Sequence, residues 1–349
     1  MTPRIASIRH RVVPVLLTVA VVLVVAETPA APVSYPRPAY LDLPPPATPV
    51  PEWAFTRDPP ETADLQVRPD DAVVRRIPGS RRAFSRTQVL DRYNVVDWHP
   101  ESHAPAPDIV MHGHRPQPAG CAWCHMPNGV GMPENAPLAG LPVNYFIRQI
   151  EDYKQGSRKT VDLRMASFHG MANIIGPRIS ATDLRAAAEY YASVKIAKPY
   201  IEVMETDTVP KTHSRVYTLK RVPEGGTEPI GNRIIETPRD WERFELLDSE
   251  AGYYAYVPRG SIRKGRVLVT MGGNGRTVAC VICHGPDLRG MGDVPPLAGR
   301  SPSNVVRQLY NFKLGARTGS DMLPMQPVVE QLTDEDIVNI AAYLVSRRP

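Results

Sequence analysis

Apolar residues recur every three or four positions in four stretches of the chain, and this spacing predicts four amphipathic helices. Ser180 and Thr333 precede two of these stretches and are natural N-caps, each with an aspartate three residues later. Gly156 and Gly315 follow the other two and are natural C-caps. The apolar positions are Phe146, Ile147, Ile150 and Tyr153; Leu184, Ala187, Ala188 and Tyr191; Val305, Val306, Leu309 and Phe312; and Ile337, Ile340, Ala341 and Leu344.

The four helices form two pairs, and the pairs belong to an internal repeat. Shifting the chain against itself by 159 positions places Gly131 on Gly290 and Arg158 on Arg317 without a gap. The closing helices match at a shift of 153, so the first copy is six residues longer between its two helices. The chain therefore contains a duplicated module. Other matches at the shift of 159 are Met132, Pro137, Leu138, Ala139, Gly140 and Gln149 with Met291, Pro296, Leu297, Ala298, Gly299 and Gln308.

A stretch with a different pattern separates the two copies. Tyr200–Glu205, Arg215–Leu219 and Tyr253–Val257 are rich in β-branched and aromatic residues, which is typical of strands. Gly225–Gly226 and Gly231–Asn232 mark turns between them. These features predict a small β-containing connector over residues 197–262.

The N-terminal residues have the composition of an export signal. Three arginines precede an apolar run from Val12 to Ala26, which is short for a membrane span but suits a signal peptide. We therefore predict a signal peptide at residues 1–26 and an exported, periplasmic protein. An uncleaved anchor on the outer face of the inner membrane is the alternative.

Residues 27–60 hold eleven prolines, which favours an extended tether that acts as a spacer. Residues 61–108 form an irregular lead without a core of its own, in which only the segment after Ser85 favours a short helix. The formal net charge is +5, and it falls to +2 without the three arginines of residues 1–26. This charge balance does not predict a basic surface of the kind that binds nucleic acid, and we expect no nucleic acid to bind.

All four cysteines lie in two pentapeptides, residues 121–125 and 280–284, and each pentapeptide ends in histidine. C-x-x-C-H is the pattern of covalent attachment of c-type haem. The cysteines would form thioethers, and the histidine would be the proximal iron ligand. We therefore predict two covalently attached haem c groups. The residues concerned are Cys121, Cys124, His125, Cys280, Cys283 and His284.

Two other interpretations of the cysteines are weaker. A four-cysteine zinc site usually has its pairs about 15 to 20 residues apart, far less than the separation here. Disulfides or redox-active dithiols within each C-x-x-C would leave both histidines unexplained. Four further histidines, His99, His103, His112 and His114, have irregular spacing among Pro and Gly and are interpreted as ordinary loop residues.

The stretch between the two helices of each module is the expected source of the second axial iron ligand. A methionine from a loop there would complete the coordination and raise the haem potential. Met325 lies eight residues before Thr333, and projecting it back by 153 positions reaches Ala172, beside Met171. We therefore predict Met171 and Met325 as distal ligands. The rivals are Met165 and His169 at the first site and Met322 at the second.

Taken together, these motifs resemble the di-haem cytochromes c built from two class I modules, and in particular the exported bacterial group with a long β-rich connector. The likeness covers about residues 75–349. It implies a mainly α fold, with helical modules at residues 109–196 and 263–349 joined by the connector. It also implies an electron-transfer role. The extra residues between Met165 and Ser180 depart from a compact module.

The leading functional hypothesis is an electron carrier that transforms no substrate itself. It would take electrons from a dehydrogenase or quinol-oxidising complex and pass them to an acceptor such as a terminal oxidase. The first alternative is a di-haem peroxidase or sulfur-compound dehydrogenase, in which one haem has an open or displaceable ligand. The second is a fixed electron-transfer subunit of a dehydrogenase complex.

Overall fold

The computed structural model describes residues 39–57 and 73–349, without the side chains of residues 320–322. The predicted signal peptide and residues 27–38 of the predicted tether lie outside the described residues. Within the described part of the chain, no helix has both the length and the hydrophobicity that crossing a membrane requires.

The described part of the predicted tether is mainly exposed at residues 42–49 and buried at residues 54–56. It begins with a 3-10 turn, Ala39–Asp42, and its residues Ala54 and Phe55 are buried. The Phe55 ring meets Tyr310 edge-on with a centroid distance of 6.2 Å. The Arg307 guanidinium donates a hydrogen bond of 2.7 Å to the carbonyl of Ala54. Residues 53–57 are therefore part of the core, and an extended spacer is the wrong description for them.

The lead contains the helix predicted after Ser85, here α1 (Arg86–Leu90), and it begins with a capping box between Ser85 and Gln88. The lead contributes to a small apolar core that it shares with Leu246 of the connector. Its Trp98 is buried and donates a hydrogen bond of 2.7 Å to the carbonyl of Leu246 in the connector. The other buried members of this core are Ile77, Val89 and Val96.

The first helical unit follows, and its long helices are the two that were predicted. The Gly156 residue ends the first of them in the left-handed conformation, and the Ser180 hydroxyl caps the second by accepting from the Asp183 amide. These two helices pack against each other. The helices of the unit are α2 (Asp108–Met111), α3 (Ala122–His125), α4 (Val143–Gln155), α5 (Ala166–His169), α6 (Gly176–Arg178) and α7 (Ala181–Ser193).

The connector is built from seven short strands and one helix. Its main sheet has the order β1-β7-β6, with β1 parallel and β6 antiparallel to β7. Val216 and Tyr217 have positive φ angles, so the predicted strand at residues 215–219 is interrupted by a two-residue turn, with Arg215 at the end of β3 and Thr218 and Leu219 at the start of β4. The elements are β1 (Ile201–Thr206), β2 (Thr208–Pro210), β3 (Thr212–Arg215), β4 (Thr218–Arg221), β5 (Thr227–Pro229), β6 (Ile235–Pro238), α8 (Trp241–Glu245) and β7 (Tyr253–Pro258).

The second helical unit opens with a helix that was not predicted, α9 (Ser261–Met271), which packs along the last helix of the chain. A Cβ atom on Gly265 would lie 1.9 Å from the Asn339 carbonyl oxygen, so the two backbones can approach this closely only at glycine. The remaining helices are α10 (Val281–His284), α11 (Pro302–Lys313), α12 (Gln326–Val329) and α13 (Asp334–Val345), and a 3-10 helix spans Ser320–Met325.

The two helical units meet through the segment that follows the first predicted helix of each. Arg158 forms an isolated antiparallel bridge with Arg317, its own repeat mate. The Lys159 amide donates to the Ala316 carbonyl at 2.7 Å, and the Thr318 amide donates to the Ser157 carbonyl at 2.7 Å. Because these bonds are related by the repeat, the contact has local two-fold symmetry.

Candidate functional site

One continuous cavity connects the two Cys-His motifs. Its volume is about 1470 Å³, whereas a site for one small ligand is typically about 300–1,000 Å³. The cavity has room for more than one planar group, and its wall is mainly apolar by area but also includes many polar and charged side chains. All eight predicted site residues line it: Cys121, Cys124, His125, Met171, Cys280, Cys283, His284 and Met325.

The first motif is held in one helical turn. Cys121 has helical backbone angles directly before α3, and His125 is the last residue of that helix. The His125 imidazole is buried, and its Nδ1 lies 2.8 Å from the Ala136 carbonyl oxygen. Burial lowers the pKa of this imidazole and keeps it neutral. Because Nδ1 then carries the proton and donates it to the carbonyl, Nε2 keeps a free electron pair for a metal.

The second motif repeats this arrangement. His284 is the last residue of α10, and burial lowers the pKa of its imidazole. Its Nδ1 lies 2.7 Å from the carbonyl oxygen of Pro295, the repeat mate of Ala136. The same tautomer is therefore favoured at both sites, and both histidines are prepared to bind iron through Nε2.

The state of the cysteines argues against the zinc and dithiol interpretations. All four are free, and burial raises the pKa of Cys121 and of Cys124 to about 12 and that of Cys280 to about 11. Reactive dithiols have lowered pKa values instead. Over residues 39–57 and 73–349, no three or more His, Cys, Asp or Glu side chains cluster where they could hold a metal ion.

Met171 lies on a helix, whereas the sequence predicted a loop. A π-helical stretch, Gly170–Ile175, joins α5 to α6, and the Gly176 amide donates to the Met171 carbonyl. Met171 precedes its cap Ser180 by nine residues, but Met325 precedes its cap Thr333 by eight. A π turn accommodates one extra residue in a helix. It therefore accounts for one of the six residues by which the first copy is longer.

The two rival candidates for the distal ligand at the first site differ in whether their ligating atoms are already hydrogen-bonded. Met165 is buried and also lines the cavity, with its sulfur 4.0 Å from the Thr160 hydroxyl. His169 has both ring nitrogens engaged, at 2.7 Å from the Leu163 carbonyl and 2.8 Å from the Asn173 amide nitrogen. At the first site, the sulfurs of Met165 and Met171 are therefore both available as ligands. The ring nitrogens of His169 are already hydrogen-bonded.

At the second site, Met325 is the last residue of the 3-10 helix and is half-buried. Its rival Met322 has a side chain outside the described residues. The four histidines that precede the first motif bond elsewhere and do not line the cavity: His99 with Asp248, His103 with Tyr190, His112 with the Tyr93 carbonyl and His114 with Asp183.

Two cavity-lining arginines were not predicted as functional. Arg317 is buried and donates hydrogen bonds of 2.9 Å to Gln308 and 2.6 Å to Gln149. Arg158 donates to the same Gln149 oxygen. Burial, together with the nearby Arg158 charge, lowers the pKa of Arg317. Among the described side chains, no carboxylate forms an ion pair with either arginine. The internal repeat could have identified these arginines as functional candidates, since it matches both Arg158 with Arg317 and Gln149 with Gln308.

Comparisons with known proteins agree with the chemistry of this cavity. The cytochrome c family model matches residues 263–348. A thiosulfate dehydrogenase electron acceptor from Thiomonas intermedia is 26% identical over 236 residues, which cover 66% of this chain and 80% of that protein. Cytochrome c-554(548) from Halomonas halodenitrificans is 36% identical over 76 residues, which cover 22% of this chain and 92% of that protein.

Among solved structures, a thiosulfate dehydrogenase from Marichromatium purpuratum aligns with a TM-score of 0.43 and 25% identity. The alignment covers 66% of this chain and 37% of that one. The similarity to the Halomonas protein extends over nearly its whole length and above 30% identity. The chain therefore belongs to the cytochrome c family, as an electron-transfer protein with covalently bound haem c.

Proposed function

We propose that this chain is an exported di-haem cytochrome that carries electrons between a donor dehydrogenase and a downstream acceptor. The observation that carries the proposal is the pair of matched sites in one cavity. Each has two thiols, and each has a neutral histidine with its Nδ1 bonded to a backbone carbonyl. A chain with one functional haem would not need this arrangement twice.

The residues present fit two haem c groups. Cys121 and Cys124 would form the thioethers of the first haem, and His125 would be its proximal ligand. Met171 would be the distal ligand, and it lines the same cavity as the motif. When bound, the haem supplies an iron that alternates between the ferric and ferrous states.

The second haem would be held in the same way. Cys280 and Cys283 would form its thioethers, His284 would be the proximal ligand, and Met325 would be the distal ligand. All four line the shared cavity. A site in which both axial positions are filled by protein has no open position for a small molecule, which suits a carrier rather than a catalyst.

The protein groups around the cavity would tune these sites. The carbonyls of Ala136 and Pro295 hold the two imidazoles in one tautomer and raise their basicity as ligands. Arg158 and Arg317 present positive charge to the cavity wall, where they would pair with acidic groups of the cofactors. The apolar part of the wall excludes water, which raises the reduction potential of a haem.

We propose a dehydrogenase as the electron donor, since the Thiomonas relative is described as the electron acceptor of thiosulfate dehydrogenase. A quinol-oxidising complex is the alternative donor, and a terminal oxidase would be an acceptor. These reactions would take place in the periplasm, with residues 1–26 as the export signal or as an anchor to the inner membrane. A stable complex with the dehydrogenase would make the chain a fixed subunit of it.

The experiment that tests the proposal is redox-poised absorption combined with magnetic circular dichroism on the full-length protein, after mass spectrometry has counted the covalent haems. We expect two haems, both low-spin with His and Met ligands. A protein with one haem would contradict the di-haem assignment. A persistent high-spin haem together with specific turnover of peroxide or thiosulfate would instead indicate a catalytic di-haem oxidoreductase.

A further inference from the structure

The connector contains a buried carboxyl group that has no part in the proposed haem sites. Glu236 on β6 is 1% exposed. Its Oε2 accepts hydrogen bonds of 2.7 Å from the Ser301 hydroxyl and 3.1 Å from the Ser303 amide, at the start of α11. Its Oε1 is buried and has no hydrogen-bond partner among the described residues. Because buried polar atoms are normally satisfied, this free oxygen calls for an explanation, and a bound proton supplies one.

A carboxyl group also meets the equivalent helix start in the first helical unit, but that one is exposed to solvent. Asn144, near the start of α4, is the repeat mate of Ser303. Its side-chain amide donates hydrogen bonds of 3.3 and 3.2 Å to Asp293. The Asp293 side chain is 46% exposed and pairs with Arg148 at 3.2 Å. The two units thus differ in whether the carboxyl group at this position is in contact with water.

The surroundings of Glu236 favour its protonated form more than water does. Burial is the largest influence and raises the pKa of Glu236. The hydrogen bonds from Ser301 and Ser303 and the charge of Arg307 oppose this shift but do not cancel it. The Arg307 guanidinium donates its hydrogen bonds to the carbonyls of Ala54 and Pro133. Glu236 forms no ion pair within the described part of the chain, so its negative charge is only partly compensated.

The other titratable groups of this cluster come from four elements around β6. Burial raises the pKa of both tyrosines, so they keep their protons. It lowers the pKa of both arginines, that of Arg307 to about 10, and they still remain charged near neutral pH. The carboxyl groups are therefore the members whose charge can change. The groups concerned are Tyr200, Tyr253, Glu134, Arg300 and Arg307.

The two arginines connect Glu236 to the cavity that holds both Cys-His motifs. Arg300 and Arg307 line this cavity. The Arg300 guanidinium donates hydrogen bonds of 3.2 Å to the Pro137 carbonyl and 2.6 Å to the Ala139 carbonyl, which fixes it in the wall. Since Glu236 lies behind this wall and away from solvent, a charge inside the cavity is weakly screened from it. An electron added to a haem there would increase the proton affinity of Glu236.

We propose that Glu236 takes up a proton when a haem in the cavity is reduced and releases it when the haem is oxidised, so that the chain moves a proton together with an electron. The inference rests on the di-haem function proposed above. In the balanced step, the donor passes one electron to a ferric iron, and one proton from the solvent forms an O–H bond with the free Oε1. Oxidation by the acceptor reverses both transfers.

The first test is spectroelectrochemical titration of the full-length holoprotein at a series of pH values. Full coupling of one proton to one electron would change the reduction equilibrium constant tenfold per pH unit, which corresponds to about 59 mV. We expect the constant of at least one haem to fall by about threefold or more as the pH rises from the Glu236 pKa of the oxidised protein to that of the reduced protein.

The variant Glu236→Gln keeps the shape of the side chain and an acceptor oxygen but cannot titrate. Because its amide imitates the protonated carboxyl group, we expect it to lose this pH dependence and to keep a potential close to that of the wild type with Glu236 protonated. The matched control Asp293→Asn removes the exposed carboxyl group and should keep the wild-type pH dependence. Equal pH dependence in the wild type and Glu236→Gln, or none in the wild type, would overturn the proposal.

The second test is redox-difference infrared spectroscopy, which detects the proton itself. Reduction of the wild type should produce the carbonyl stretching band of a protonated carboxyl group, and this band should shift in D2O. Labelling of glutamate with carbon-13 should also shift it, which separates Glu236 from the acidic groups of the cofactors even if a variant fails to fold. The band should be missing in Glu236→Gln and present in Asp293→Asn.

A wild type without this band, or a band that glutamate labelling does not move, would overturn the proposal. Failure of the underlying di-haem function would show separately, as a haem count below two or as a high-spin spectrum. A protein with two low-spin haems whose potentials do not depend on Glu236 would instead retain the carrier function and exclude the proton uptake.

Discussion

The two helical units have the same motif and the same pair of long helices, but they are completed in different ways. The second opens with the eleven-residue α9, which packs along α13. The first opens with the four-residue α2, which shares a core with Val95 of the lead, and connector residues pack on the segment after its Cys-His motif. A helical unit of this repeat can thus be closed by its own helix or by neighbouring segments, and in the first unit the connector also packs over the segment that follows the Cys-His motif.

The largest expected effect concerns the distal ligands. We expect Met171→Ala and Met325→Ala each to turn one haem high-spin and leave the other unchanged, because each variant removes one thioether from one iron. Magnetic circular dichroism of the oxidised and reduced proteins checks this. Met132→Leu and Met291→Leu serve as controls, and both should keep two low-spin haems.

Two unaltered low-spin haems in Met171→Ala would refute that assignment. The variant Met165→Ala would then be informative, since Met165 lines the same cavity. A high-spin haem in this variant would identify Met165 as the ligand. This outcome would also mean that the π-helical stretch positions a wall residue rather than a ligand.

The next effect concerns the helix that only the second unit has. Gly265→Ala should destabilise the protein by about 2–3 kcal/mol, because the new Cβ would collide with the Asn339 carbonyl and force α9 away from α13. Denaturant unfolding of the holoprotein, followed by far-ultraviolet circular dichroism, measures the change.

The matched control is at the repeat mate, Ala106, which precedes the short α2. Ala106→Gly should change the free energy of unfolding by no more than about 1 kcal/mol. A small effect of Gly265→Ala would mean that the two helices can separate without loss of the fold. In that case, α9 would not be the element that closes the second unit.

A smaller effect is expected for the two interface arginines. Arg317→Leu should lower the reduction potential of at least one haem by on the order of 50 mV, because it removes a buried positive charge that favours the reduced form. Arg158→Leu, at the more exposed position, should lower it less. Spectroelectrochemical titration resolves both shifts. An unchanged potential in Arg317→Leu would contradict a role for this charge in tuning the sites.

The smallest effect is a pH dependence of the protein's stability, which arises from the contact between the lead and the connector. The hydrogen bond that the His99 imidazole donates to the Asp248 carboxylate raises the pKa of this buried histidine, so the folded state favours the charged imidazole. The stabilisation is fully present below about pH 6.5, the unfolded value, and is lost as the pH rises through the folded pKa.

We therefore expect the thermal midpoint of the wild type to fall as the pH increases above neutrality. His99→Gln should flatten this dependence in part. The remainder would come from His103: burial is the largest single influence and opposes its protonation, but the Asp97 carboxylate 3.4 Å from its Nε2, the Ala104 carbonyl and the charge of Glu101 together outweigh burial and raise its pKa. An equally steep dependence in His99→Gln would exclude the His99–Asp248 pair as the source.

The long helices and their caps were predictable because they depend on local signals, namely apolar spacing and the residues Gly156, Ser180, Gly315 and Thr333. The two cysteine-histidine motifs were also visible, since their spacing alone defines the chemistry. The identity of the distal ligands stays a prediction, because Met165 and Met171 are six residues apart and both line the cavity.

Features that depend on distant contacts were missed. Helix α9 contains Gly265, which weakens a helical pattern, and the helix is stabilised by its contact with α13, which the sequence alone does not reveal. Phe55 lies in a proline-rich stretch, and only its contact with Tyr310 shows that it is a core residue. The π-helical stretch could have been suspected from the one-residue difference between Met171–Ser180 and Met325–Thr333.

The bridge between Arg158 and Arg317 is the kind of contact that a symmetric homodimer forms, in which one segment meets its own copy. In a homodimer, any substitution there changes both sides at once. Here the two copies are separate stretches of one chain, and they have already diverged: Ser157 and Lys159 correspond to Ala316 and Thr318. The molecule thus keeps the geometry of a dimer but is free to give each Cys-His motif a different environment.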